Sequence, residues 1–146
     1  MHIIVPPDKP AADTARWQPT LRFLQRVVDG EHVRLDAVHL HHHPRRPDGS
    51  RPVACYCGEA DWELHTLTLC GGQDRLTVLH EVAHLIVEDY HTVIWSAEVM
   101  RLHRVWLPAG DVQHADRLLA MEYRKARSLY RSVYGASAPR MRALDR

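Results

Sequence analysis

The sequence predicts an α+β fold in a single domain that covers residues 1–146. Apolar residues alternate in parts of the first half, and they recur at helical spacing near the N-terminus and throughout the second half. We therefore expect an N-terminal helix, a small, mostly antiparallel sheet of three to four strands, a central helix and two C-terminal helices. A chain of 146 residues, 45% of them hydrophobic, is long enough to bury a sizeable core.

The first half of the chain supplies the first helix and the strands. Residues 1–12 are rich in proline and are expected to form an irregular lead-in. Helical spacing predicts a helix over residues 13–29, which Pro19 is expected to shorten or split and Gly30 to end. Alternation, β-rich composition and flanking turn signals predict three strands, over residues 32–43, 53–57 and 62–69.

The spacing of apolar residues predicts helices throughout the second half of the chain. A helix over residues 74–87 begins at Asp74, which is a favourable N-cap, and it is apolar on nearly every side. A helix of that kind lies in the middle of a domain. Further helices are predicted over residues 93–107 and 111–134, and residues 136–146 are expected to be a frayed tail.

Charge gives little indication of a macromolecular partner. The formal net charge is +1, which favours neither nucleic acid nor an anionic membrane, and no stretch has the length and apolarity of a membrane span. Residues 117–146 are basic, with eight Lys or Arg and two acidic residues. We interpret these charges as solvated helix faces, so that nucleic acid remains a possible partner that is not favoured.

The sequence predicts a cytoplasmic location. The N-terminus lacks a basic segment, and its apolar run, residues 3–5, is too short for a signal peptide. Three cysteines, an odd number, do not form a disulfide framework, which agrees with a reducing compartment.

The central predicted helix contains the motif H-E-x-x-H, at His80, Glu81 and His84. Histidines four residues apart share one helical face, so both rings can reach one ion, and neutral imidazole is a good zinc ligand. Glu81 is offset by one residue and can act on a water held by that ion. Because buried polar groups need partners, their place in so apolar a helix favours a Zn²⁺ site over hydrogen-bonded core histidines.

A catalytic zinc requires a third protein ligand and an open position. His91 is our preferred third ligand, with Glu88, Asp89, His103 and His114 as the alternatives. On a straight helix His91 would lie about 10 Å beyond His84. The helix must therefore end near Val87, and the chain must fold back without the help of Gly or Pro.

The run from Leu76 to Trp95 resembles small metallohydrolases of the zincin class, with the SprT-like proteins among them. In these proteins a third His follows the H-E-x-x-H helix after a short turn, commonly as H-G-P-x-F. The resemblance implies a zincin-like fold, three zinc ligands at His80, His84 and His91, and a catalytic role for Glu81. Here Thr92 and Val93 replace the Gly-Pro pair.

These residues predict a zinc-dependent metallopeptidase that cleaves a peptide or amide bond with Glu81 as general base. By order in the chain we expect the substrate to lie along residues 66–69 as an edge strand. Candidates for stabilising the oxyanion are Tyr90, His103 and Tyr123. The alternative is a non-catalytic, metal-stabilised regulatory or nucleic-acid-binding module.

Two further groups of residues could bind metal but are expected to have no functional role. The alternating His39, His41 and His43 are expected at a solvated strand end, with a second metal site as the alternative. Cys55 and Cys57 are expected to be ordinary buried thiols.

Overall fold

The computed structural model describes residues 1–4, 15–41, 58–70 and 74–135, which contain four strands and five α-helices. The chain divides into two compact units, Met1–Ile86 and Val87–Arg146. The α+β class is confirmed. In the described part of the chain, no helix is both long enough and apolar enough to cross a bilayer.

The strands of the first unit form one mixed sheet. They are β1 (His2–Ile4), β2 (Ala37–His41), β3 (Gly58–Asp61) and β4 (Thr66–Cys70), in the order β1-β2-β4-β3. The pairs β1–β2 and β2–β4 are parallel, and only β3–β4 is antiparallel. The expectation of a mostly antiparallel sheet was therefore wrong. The helix between β1 and β2 returns the chain to the end where it started, which makes these strands parallel.

That helix, α1 (Gln18–Gly30), confirms the predicted N-terminal helix in a shortened form. Pro19 lies in its first turn, where a missing N–H does no harm, and a short 3₁₀ turn, Ala15–Trp17, precedes it. Its buried face includes Leu21, Leu24 and Val28.

The strand over residues 62–69 begins later than predicted, because residues 62–65 form a turn. The backbone N–H of Leu64 donates to Asp61 Oδ1 at 2.9 Å, and His65 has a left-handed φ of 52°. Aspartate favours such turns by bonding the backbone ahead of it. The predicted strand over 53–57 lies outside the described residues.

The order of the strands corrects the predicted substrate edge. β4 pairs with β2 on one side and with β3 on the other, so residues 66–69 lie inside the sheet. Among the strands that the structure describes, β3 is the edge on this side of the sheet.

The central helix of the first unit is α2 (Arg75–Val87), as predicted. Asp74 caps it by accepting the backbone N–H of Thr77 at 2.7 Å. Most of its apolar side chains are buried, among them Val78, Leu79, Val82 and Ala83. The described sheet contributes Val38, Leu40, Leu67 and Leu69 to the buried core.

The second unit has three helices, α3 (Val93–Trp106), α4 (Ala109–Glu122) and α5 (Arg124–Tyr134). The prediction of one helix over 111–134, and hence of two C-terminal helices, was wrong. Tyr123 interrupts it with an extended backbone, φ −121° and ψ 120°. Neither Gly nor Pro marks this break, so periodicity alone did not locate it. Gly135 ends α5 with a left-handed φ of 61°, as expected of a helix stop.

A buried hydrogen-bonded group ties the three helices of the second unit together. Asp116 of α4 is bonded through Oδ1 to His103 Nδ1 of α3 at 2.7 Å, and through Oδ2 it accepts from the Tyr134 hydroxyl of α5 at 2.5 Å. The side chains of His103 and Asp116 are almost completely buried. Pairing of this kind satisfies a carboxylate that would otherwise be costly to bury.

Candidate metal centre

Helix α2 places His80 and His84 one turn apart on the same face. Their ring centroids are 5.1 Å apart, and the rings stand at 65° to each other. His84 is buried, whereas the His80 side chain keeps 20% of its surface exposed. This is the arrangement that the spacing of the motif predicts, because residues four apart are neighbours on a helix.

The chain turns back directly after α2. The helix ends at Val87, and Glu88 follows with a left-handed φ of 51°. Left-handed residues commonly end helices, but the position usually belongs to Gly, and another residue there costs roughly 1 kcal/mol. The predicted end of the helix and the predicted reversal without Gly or Pro are both confirmed.

Two polar side chains hold the rest of this turn. Asp89 accepts the backbone N–H of Tyr90 at 2.8 Å through Oδ1 and the hydroxyl of Thr92 at 2.9 Å through Oδ2. The same hydroxyl oxygen accepts the backbone N–H of Trp95 at 3.2 Å and so caps α3. Thr92 occupies the position of Gly in the H-G-P-x-F motif, and here it is the N-cap of the next helix.

The three predicted ligands come together. Ligand atoms of His80, His84 and His91 all lie within 4.8 Å of one another. Nitrogens bound tetrahedrally to zinc are about 3.4 Å apart, so the rings need only modest movements to share one ion. Three neutral imidazoles are a donor set that suits Zn²⁺ and leaves a fourth position for water or substrate.

The rival third ligands do not join this group. Glu88 is exposed, and the Asp89 carboxylate is engaged in the turn. His103 is buried against Asp116, and His114 is an exposed residue of α4. Within the described ranges, His80, His84 and His91 are the only such group of three potential ligands.

Glu81 lies buried between α2 and the edge strand β3. It is 5% exposed, and its Oε1 is 3.8 Å from His80 Nε2. A Cβ atom built on Gly58 would lie 2.7 Å from Glu81 Cγ and 2.8 Å from its Oε1. Only glycine therefore leaves room for this carboxylate beside β3.

The pKa of Glu81 is raised to about 8, mainly by burial and also by the nearby carboxylate of Glu59, while a hydrogen bond from the backbone of Ala60 partly opposes the shift. Desolvation is the largest cause because the low-dielectric interior disfavours the charged form. A dication held by the neighbouring histidines would oppose that effect and favour the carboxylate. The environment of Glu81 thus suits a group that takes up and releases a proton near neutral pH.

Aromatic rings accompany two of the candidate ligands. Trp62 stacks on His84 with centroids 6.4 Å apart, and His91 contacts both Trp95 and Tyr123. Sequence reasoning missed Trp62, and it named Tyr123 for another role. Gly58 was also missed, although an isolated Gly at a strand can indicate the close approach of another group.

The remaining predicted residues do not belong to the group of three histidines, or they lie outside the described ranges. Tyr90 is 71% exposed. His39 lies on β2 opposite Thr68 of β4. Residues 42–57 are outside the described ranges, and with them His43, Cys55 and Cys57.

No protein-family model, curated protein or solved structure matches this chain. The resemblance to zincins therefore depends on the motif and on the geometry of the three histidines.

Proposed function

We propose that this protein is a zinc-dependent hydrolase of the metallopeptidase type, which cleaves a peptide or amide bond. One observation carries the proposal: three imidazoles lie within 4.8 Å of one another, and a buried carboxylate follows directly after the first of them. Such a set provides three ligands, an open coordination position and a proton acceptor.

His80, His84 and His91 would hold the zinc. When bound, zinc increases the acidity of a water molecule and polarises the carbonyl of the substrate. Glu81 would accept a proton from the water that attacks the carbonyl carbon, and it would then donate that proton to the leaving amine. Burial beside β3 keeps the carboxylate in place and raises its affinity for the proton that it carries.

The free edge of β3 is the best place for an extended substrate. Within the described ranges β3 is bonded to β4 on one side only, and we propose that its other edge pairs with a peptide backbone. Gly58 and Ala60 lie beside Glu81 on this strand, so a peptide bound there would pass close to the general base.

The proposal is tested by metal analysis and by Glu81→Gln. We expect about one zinc per chain, and hydrolysis of a peptide library that falls at least about a hundred-fold in Glu81→Gln while zinc content is unchanged. Glu63→Gln, in the exposed turn after β3, is the matched control and should hydrolyse as the wild type does.

A different result would favour the non-catalytic module. If zinc binds but neither the wild type nor the Glu63→Gln variant hydrolyses any peptide or amide, the hydrolase proposal is wrong. Zinc that is found with a fourth protein ligand would point the same way, because a closed coordination sphere is typical of a structural site.

A further inference from the structure

The break between α4 and α5 has no local cause in the sequence. Tyr123 leaves helical geometry although no Gly or Pro adjoins it. The hydrogen bonds continue through the break: the N–H of Tyr123 donates to Leu119 O at 2.9 Å, and its carbonyl accepts the N–H of Ala126 at 3.1 Å. The chain therefore gives up little backbone bonding at the break. The break lets α5 fold back so that Tyr134 reaches Asp116 of α4, and it also sets the direction of the Tyr123 side chain.

That side chain packs against a candidate metal ligand. The ring centroids of Tyr123 and His91 are 4.4 Å apart, with the planes tilted by 35°. Trp95, which is completely buried, meets His91 edge-on at 4.6 Å and Tyr123 edge-on at 4.9 Å. The three rings thus form a closed triangle, with the imidazole held on two sides.

His91 is the ligand that most needs such support. The other two ligands lie on a regular helix, whereas His91 lies in the turn between α2 and α3 and is exposed. A free side chain loses rotamer entropy when it binds a metal, and contacts that fix the ring beforehand reduce that loss. Loss of an outer-shell group that orients a metal ligand typically weakens metal binding about ten- to a hundred-fold.

We propose that Tyr123 is a positioning residue of the metal centre, whose ring holds the imidazole of His91 in the orientation that binds the ion. The proposal rests on metal binding by the three histidines and not on hydrolysis. The aromatic ring, which Phe shares with Tyr, is the part of the side chain that acts on the imidazole.

The test compares variants of Tyr123 in the full chain. Zinc affinity is measured by competition with a chromophoric chelator, and ligand geometry by the visible absorption of the Co²⁺-loaded protein. We expect Tyr123→Ala to bind zinc at least about ten-fold more weakly and to show an altered Co²⁺ spectrum, and Tyr123→Phe to stay within about two-fold of wild type with an unchanged spectrum. Tyr123→Leu keeps bulk without the ring and should resemble the Ala variant, which preserves the test if Tyr123→Ala does not fold.

Tyr134→Phe is the control for a general loss of stability. It removes the hydrogen bond to Asp116 in the same unit, and it should lower the melting temperature without changing zinc affinity. Wild-type affinity in the Ala and Leu variants overturns the proposal, and so does an equal loss of affinity in Tyr134→Phe. A wild-type chain that binds zinc without hydrolysing anything contradicts only the proposed function, whereas a chain that binds no zinc contradicts both.

Discussion

Helix α2 and the turn over residues 88–92 both supply candidate ligands, but they hold them by different means. In α2 the backbone itself places His80 and His84 on one face, with ring centroids 5.1 Å apart. In the turn, His91 is placed by side chains: Asp89 and Thr92 bond the backbone, and the rings of Trp95 and Tyr123 contact the imidazole. A regular element preorganises its ligands at little cost, whereas a turn depends on each residue that supports it.

This difference predicts unequal losses when single ligands are removed. His84→Ala should weaken zinc binding roughly a thousand-fold, which is about a third of a typical binding free energy of ~12 kcal/mol. His91→Ala should lose less, about a hundred-fold, because the helical pair remains preformed and water can take the place of the third ligand. Competition with a chelator of known affinity measures both values.

His114→Ala provides the control, since His114 is exposed and lies outside the group of three. Its affinity should equal that of the wild type. A larger loss for His91→Ala than for His84→Ala would reverse the comparison and make the turn the more important half of the site.

The second prediction concerns the support of Glu81 on the side of β3. In Gly58→Ala the new methyl group would lie 2.7 Å from Glu81 Cγ, so the carboxylate must move. We expect hydrolysis to fall about a hundred-fold, as it does when a catalytic group is misplaced by about 1 Å, while zinc affinity stays within a few-fold. Overpacking should also lower the free energy of unfolding by about 1–3 kcal/mol.

Gly110→Ala is the matched control for Gly58→Ala. A Cβ atom on Gly110, in the first turn of α4, would meet nothing within 4 Å. The substitution should leave activity unchanged and raise the free energy of unfolding by up to about 1 kcal/mol, because Ala favours the helix. If Gly58→Ala hydrolyses as well as Gly110→Ala does, the close approach of Glu81 to β3 has no catalytic importance.

The contrast between helix α2 and the turn over residues 88–92 also explains which parts of the fold and the candidate site could be predicted from the sequence. The spacing of His80, Glu81 and His84 fixes their relation, because every α-helix has the same geometry. The end of α2 near Val87 also followed, since three ligands meet only if the helix stops there. Those inferences needed only local chemistry and one geometric requirement.

Features that depend on distant partners were not predicted. Two features of the described strands follow from how distant parts of the chain associate: the parallel pairing of β2 with β4, and the position of β3 at the edge. Alternation alone does not show either of them. The break at Tyr123 coincides with a contact to a ring more than thirty positions earlier in the chain. Tertiary packing overrides helical propensity at such a position. The spacing of apolar residues therefore does not reveal the break.

The smallest expected effect concerns the turn itself. Glu88 has a left-handed φ of 51°, and replacing it with Gly removes the Cβ that makes this conformation unfavourable. Glu88→Gly should raise the free energy of unfolding by about 0.5–1 kcal/mol. The gain is limited because Gly relieves the backbone strain of the folded state but also has greater freedom in the unfolded chain. Gln113→Gly, at an exposed interior position of α4, should instead lower it by about 1 kcal/mol. Urea denaturation of the metal-free proteins separates these opposite signs, and a loss of stability in Glu88→Gly would show that its side chain supports the turn more than its backbone strains it.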